Sequence, residues 1–495
     1  MLPLLLALGS PAFGGEFMDT WITLALEDTN IRAGPQNYSP AANFVQRGNR
    51  TFFEDYESRY SDDITQSHLV LYRRDPGFWK DWFTEAAFVV QFTPYLEPDQ
   101  ARDGVAIEDD GSYVRLARRF DGDDDHTVSL TGYAVDASRF RLGYSYDLSW
   151  GGREIFAGDP YASPGVRLQY ERHGSYLFAG AKTAIFDEVQ TEGEWQGYQR
   201  NQAFYGFLFG GGLEVGERFR VEAGMGSFRQ GQLVNVNDIE SPLFGDPIQA
   251  VGLAGQLSFR TSRTLAFIQS ADLRLYRNTP EFLKDPRLLH RVIDGVGFLV
   301  QTEVNWLAHD LLDSQEPGAT VVEQGLAGDV QTVLVIGSTE LGVDLVYKDL
   351  AYILFNVPGF TSDFAIPDIA YRPQVYARFQ ASHTFAEAHV APSVGIGLMQ
   401  PASYTTSSGT FVQYSETDKE EVPGGQTAAN ILGGVAGVQV DVSPSVVLLG
   451  EALLTIDNNR SDAVSTSSGD AVVRVPADAV ERHPIGFNLM MRARF

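Results

Sequence analysis

The segment Gly486-Phe487-Asn488-Leu489-Met490-Met491-Arg492-Ala493-Arg494-Phe495 decides how the rest of the chain is read. Successive side chains of an extended strand point to opposite faces. Phe487, Leu489, Met491, Ala493 and Phe495 therefore share one face, and Asn488, Arg492 and Arg494 share the other. The first face needs an oily surrounding. The second carries charge in mid-strand, which an apolar core would not accept.

The same period-2 pattern recurs upstream. In Phe140–Leu148, the residues Phe140, Leu142, Tyr144, Tyr146 and Leu148 alternate with Arg141, Gly143, Ser145 and Asp147. Val166, Leu168 and Tyr170 alternate with Arg167, Gln169 and Glu171. Phe219, Val221, Ala223 and Met225 alternate with Arg220, Glu222 and Gly224. Val296, Phe298, Val300, Val304 and Trp306 alternate with Gln301, Glu303 and Asn305. Further runs lie near Ala271–Leu275, Leu341–Tyr347, Val375–Ala381 and Ala388–Leu398.

A β-sandwich also alternates, but three features point to a closed membrane barrel. Several runs exceed the usual soluble strand of about 5 to 6 residues and approach the 9 to 11 or so that a tilted membrane strand needs. Arg220, Glu222, Asp344, Arg378 and Glu451 put charge in mid-strand, which suits a polar lumen. Short turns at Glu171–Gly174, His383–Ala386 and Val442–Val446 contrast with long polar segments at Asn356–Arg372, Gln400–Gln426 and Asp457–Arg482. In hydrocarbon every backbone N–H and C=O must be satisfied, and a sealed sheet has no edge. The expected fold is all-β: a single transmembrane antiparallel β-barrel of about 18 strands (16–20), with short periplasmic turns and long external loops. The turns do not all agree in parity, and Arg277–Gln324 is where the count should fail, with Pro280–His290 a candidate loop helix. Aromatics at Phe78, Trp79, Trp82, Trp150, Trp306 and Tyr347 are candidates for interfacial girdles.

The final strand, with Phe487, Leu489, Met491 and the closing Phe495, resembles the terminal signal of Gram-negative outer-membrane β-barrel proteins. That resemblance implies recognition of the aromatic by the barrel-assembly machinery. It also implies residence in the bacterial outer membrane as an integral protein contacting outer-membrane lipid. The segment Phe140–Gly152 is similar to stretches of large myxobacterial-type barrels, a likeness that assigns no functional residue.

Residues 1–14 read as a signal peptide, with an apolar run at Leu2–Leu8 followed by Ser10, Ala12 and Gly14. Residues 15–65 form an N-terminal lead in which Thr20–Glu27 is a candidate first strand, and 66–495 form the barrel. No later stretch reaches the roughly 18 apolar residues of a spanning helix. The absence of cysteine excludes disulfides, thiolate metal sites and thiol nucleophiles. A net charge of −27 argues against nucleic acid as a partner. The acidic segments Glu54–Asp63, Asp121–Asp125 and Glu416–Glu421 read as solvated loops.

No metalloprotease, phosphate-loop or nucleophile-elbow motif appears, so neither an enzyme nor a cofactor or metal is expected. Asp121–Asp125 matches the opening of a calcium loop, but His126 stands where the turning glycine belongs and Gly132 where the closing glutamate does. Gly210–Gly212 enters a strand rather than a helix, which removes a dinucleotide reading and suggests bends or loop entry. The lumen-lining candidates are Arg141, Arg167, Glu171, Arg220, Glu222, Asp272, Arg274, Glu303, Asp329, Asp344, Arg378, Glu387, His389, Glu451, Arg492 and Arg494. Fixed charges of this kind tune pore selectivity, or else satisfy one another in a salt-bridged network. The expected function is a porin-like channel for small polar solutes or ions, which an inward-folded loop could narrow. The alternatives are a structural or interaction barrel with a blocked lumen and an envelope protein partner, and a soluble secreted β-protein.

Overall fold

The computed structural model describes residues 19–28, 30–32, 64–97, 102–109, 111–137, 140–143, 148, 150–152, 162–189, 199–233, 243, 245–262, 265, 293–313, 316, 319–356, 371–405, 411–415, 418–422, 428–465 and 472–494. Its wall strands run in chain order. They are β1 (Asp19–Asp28), β2 (Ile64–Pro76), β3 (Trp82–Glu97), β4 (in two pieces, Arg102–Asp109 and Tyr113–Phe120), β5 (Asp123–Tyr133) and β6 (Gly165–Arg172). Next come β7 (Ser175–Val189), β8 (Gln199–Val215), β9 (Phe219–Gln232), β10 (Pro247–Arg260), β11 (Val296–Leu312) and β12 (Thr320–Ile336). The last are β13 (Thr339–Lys348), β14 (Gln374–His383), β15 (Val390–Gln400), β16 (Ile431–Ser443), β17 (Val446–Ile456) and β18 (Ile485–Arg494).

Each wall strand pairs antiparallel with the next, and both pieces of β4 pair with β3. The ladder returns on itself, because β18 pairs with β17 on one side and with β1 on the other. The pairing partners Trp21↔Arg494 and Glu27↔Asn488 fix that seam. Thr20–Glu27 is therefore a wall strand. A ring satisfies the backbone of every member and leaves no edge.

The two faces separate cleanly along each strand. On β10, Leu253 and Leu257 are 48% and 51% exposed, while Ala254 and Ser258 between and beside them are 7% and 2% exposed. On β11, Val296 and Val304 are exposed while Gln301, Glu303 and Asn305 are fully buried. The exposed apolar residues continue around the ring at Leu168, Val221, Leu326, Leu345, Ile396, Leu454 and Leu489. Water would penalise such a belt by roughly 25 cal/mol per Å2. Hydrocarbon would not.

Hairpins at 77–81, 121–122, 173–174, 216–218, 337–338, 384–389 and 444–445 all close one end of the ring. The 35-residue connection 261–295 joins β10 to β11 at that same end, which resolves the parity conflict read from sequence. Ala271–Leu275 and Pro280–His290 lie outside the described residues. At the other end, long connections carry a small sheet (Tyr371–Arg372, Ala402–Thr405, Phe411–Ser415, Asp418–Val422) and a hairpin (Ser461–Ser465 with Val472–Pro476). They also carry the helices α1 (Leu350–Asn356) and α2 (Ala479–Arg482).

Candidate functional site

The interior of the ring is where the sequence expectation needs its main correction. Phe140–Leu148 is not a wall strand. It belongs to the β5–β6 connection, which folds into the lumen, and Phe140, Leu142, Leu148 and Trp150 are all buried there. Trp150 is thus no girdle residue. A two-residue bridge holds the turn, with Leu142 N–H to Trp150 O at 2.8 Å and Trp150 N–H to Leu142 O at 2.9 Å. Tyr144–Asp147 lie outside the described residues.

The inserted loop is seated on the inner wall at three places. Phe140 stacks on Tyr133 of β5 and meets Phe178 of β7 edge-on, at ring separations of 6.2 and 5.8 Å. Trp150 meets Phe228 of β9 edge-on at 5.5 Å, over Gly252 of β10. A Cβ on Gly252 would collide with the Trp150 ring, so glycine is required by this close approach. Lys182 of β7 donates from Nζ to Gly151 O at 2.6 Å. The third seat is on β11, where Asn305 Nδ2 donates to Leu148 O at 2.7 Å.

A second segment lies beside it. Helix α1 follows β13 and packs inside against β11 and β12. Asp349 caps it by accepting from Tyr352 N–H and also from Leu326 N–H of β12, both at 2.7 Å. Burial holds the Asp349 proton more tightly than an ordinary carboxylate would, although those two bonds pull the other way. Gly325 of β12 lies under the helix, where an added Cβ would stand 2.6 Å from Tyr352 N. The Tyr352 hydroxyl donates to Leu148 O, the carbonyl that also accepts from Asn305.

Charged groups occupy the remaining inward positions. Arg220 and Glu222 of β9 form an ion pair at 2.9 Å, and the Tyr176 hydroxyl donates to the same carboxylate. Arg378 of β14 pairs with Asp344 of β13, its partner across the ladder. Glu303 accepts from Asn305 at 2.7 Å, and Asp329 of β12 stands directly across from it. Asn488 of β18 donates to Glu451 of β17 at 3.2 Å. Arg141, on the inserted loop, lines a cavity with Tyr176, Phe178, Glu222 and Gln256. Arg167 and Lys182 both lie over the Phe140 ring, at 5.6 and 5.3 Å. Glu171 is half-buried at the end of β6, within 3.4 Å of Gln169 Nε2.

The other candidates fall elsewhere. Glu387 and His389 sit in the exposed turn between β14 and β15, not on the lumen face. The alternation that suggested them runs past the strand, and His389 has a φ of 56°. Asp272 and Arg274 lie outside the described residues, as do Phe495 and the side chains of Arg492 and Arg494. Phe487, Leu489 and Met491 lie opposite the buried Gly486, Asn488 and Met490. The glycines Gly210 and Gly212 make no bend; they leave room for the rings of Phe178 and Tyr176.

Several inner residues escaped the sequence reading. Glu85 of β3 is buried and receives Arg115 at 2.8 Å, with Arg74 at 3.7 Å. Alternation at Tyr113, Arg115 and Ala117 could have found it. Tyr352 had no such signal, because it lies on a seven-residue helix within a connection.

Ionisable side chains inside a sealed antiparallel ring, with an apolar belt outside, leave one physical arrangement. The chain is an outer-membrane-type β-barrel. No family model and no curated protein matches it. Among solved structures, similar architectures are OmpT, an outer membrane protein of Vibrio cholerae (10% identity, 96% of this chain and 97% of that one, TM-score 0.35) and OccK9 (OpdG) of Pseudomonas aeruginosa (9%, 96% and 98%, 0.45). OccAB2 of Acinetobacter baumannii is another (6%, 96% and 97%, 0.47).

Proposed function

We propose that the barrel is a porin-like channel of the bacterial outer membrane, passing small polar solutes or ions through a lumen narrowed by two inserted segments. The observation that carries this reading is the inward placement of charge. Arg167, Lys182, Arg220, Glu303, Asp329, Asp344 and Arg378 are all buried on inward faces. Desolvated charge is costly in a lumen that serves only as packing. In a pore it sets selectivity. Eighteen strands leave an aqueous channel unless it is filled. Here the β5–β6 loop and α1 fill much of it, so the passage is narrow.

Arg141, Arg167 and Lys182 lie on the loop and on β6–β7, and Glu303 and Asp329 face each other on β11–β12, while Asp344 of β13 is matched by Arg378 of β14. Planar-bilayer recording of the folded chain tests the proposal. Stepwise conductance is expected, and Glu303→Gln with Asp329→Asn should shift the reversal potential toward anions. A correctly folded barrel that never conducts would favour the alternative, a barrel with a blocked lumen serving an envelope assembly.

A further inference from the structure

We infer that Tyr352 is a latch that holds the inserted β5–β6 loop in the lumen, and that release of its hydroxyl from Leu148 O widens the passage. The widening rests on the channel reading; the latch itself does not.

The geometry is specific. Leu148 O accepts from two donors that belong to different elements, Asn305 Nδ2 on the wall and Tyr352 Oη on α1. The two hydrogens of Asn305 Nδ2 suit its two short contacts, Leu148 O and Glu303 Oε1, each at 2.7 Å. The amide is thereby fixed by the wall. Tyr352, in contrast, comes from a connection more than 200 residues away in sequence, at a separation of 204 from Leu148. Its ring packs in the apolar cluster with Phe140, Leu148 and Trp150, and its hydroxyl also lies 3.5 Å from Asn305 Nδ2, but its backbone is carried by α1. That helix has seven residues, too few to persist without its cap and its packing. The Asp349 carboxylate supplies the cap and at the same time ties the helix start to Leu326 of β12. Loop, helix and wall thus meet at one carbonyl. Beyond this point the loop leans on ring contacts with Tyr133, Phe178 and Phe228 and on the bond from Lys182.

A buried hydrogen bond lost without its ring shifts a two-state equilibrium about fivefold. Tyr352→Phe removes only the hydroxyl and keeps the packing. The chain lacks cysteine, so a reporter can be placed without background. Ala137→Cys puts a small thiol in the inserted loop at a fully buried position.

The experiment compares the rate at which a water-soluble maleimide labels Ala137→Cys in folded barrels, with and without Tyr352→Phe. Labelling should accelerate about fivefold, and open probability in planar bilayers should rise in step. Thr455→Val, which removes a buried hydroxyl on β17 outside the apolar cluster that contains the loop, should leave labelling unchanged. Equal labelling in the parent and Tyr352→Phe overturns the latch. So does equal acceleration by Thr455→Val. Should Tyr352→Phe fail to fold, Asp349→Ala frees the same helix and should give the same acceleration; no change there also overturns the latch. Faster labelling in barrels that never conduct upholds the latch and removes the channel reading instead.

Discussion

Leu253→Arg tests the outward apolar belt most directly. Leu253 lies midway along β10, across the ladder from Met225 of β9 and Trp306 of β11, and is 48% exposed. On a water-facing surface such a replacement stays within about 0.5 kcal/mol of neutral. At the middle of a bilayer an arginine on a barrel's lipid face costs about 2–4 kcal/mol. The cost should fall toward about 0–1 kcal/mol near the interface. Gln249 and Phe259, four residues before and six after Leu253 on the same outward face, provide that comparison. The assay is reversible urea unfolding in phospholipid vesicles, with Trp fluorescence as the probe. A cost that peaks at Leu253 and declines toward both ends of β10 is expected. A flat profile near zero would show that the exposed face meets water, and the membrane assignment would fall with it.

Other perturbations probe the interior. Arg378→Leu strands the Asp344 carboxylate and should cost about 3–5 kcal/mol in the same assay, while adding Asp344→Leu should recover most of the loss. Gly252→Val should push Trp150 off the β10 wall and lower the urea midpoint, whereas Gly255→Val, where an added Cβ meets nothing within 4 Å, should not. Asp457 lies in the β17–β18 connection, outside the wall strands; burial raises its proton affinity above the ordinary value of 3.8, with Arg460 opposing. The folded loop therefore gains stability relative to the unfolded one below that value, and the gain is lost as pH rises through the raised folded value. Hydrogen exchange over 457–465 and 472–483, corrected for intrinsic rate, should show more protection near about pH 4 than near about pH 7.

How much of this was legible in the sequence depends on what alternation measures. Val221, Leu168 and Val304 announced wall strands because each stands between lipid and lumen, two surroundings that differ at every step. Phe140–Leu148 alternates for another reason. Its Phe140 packs on Tyr133 and Phe178, while Arg141 reaches toward Glu222 and Gln256, so a segment wholly inside the ring is also two-sided. Period alone cannot separate an inserted loop from the wall that receives it. The glycines of the receiving wall hold the missing information. Gly252 sits at an inward position with no side chain of its own, and only the Trp150 ring placed over it explains why.

The inner wall also explains why a filled lumen is required. Tyr376, Met399 and Ile431 point inward from β14, β15 and β16 and are fully buried. Left bare in an open 18-strand channel, they would present oily side chains to water at roughly 1.5–3 kcal/mol each. Such positions blur the polar face in sequence, so they seem to weaken the barrel pattern. In the fold they belong to the same apolar cluster as Phe140, Leu148, Trp150 and Tyr352. The wall and its two inserted segments are therefore one packing unit. Inward apolar residues at Tyr376 and Met399 call for a covering element just as outward ones at Leu253 call for lipid. A barrel whose lumen positions were all polar would need neither α1 nor the β5–β6 loop.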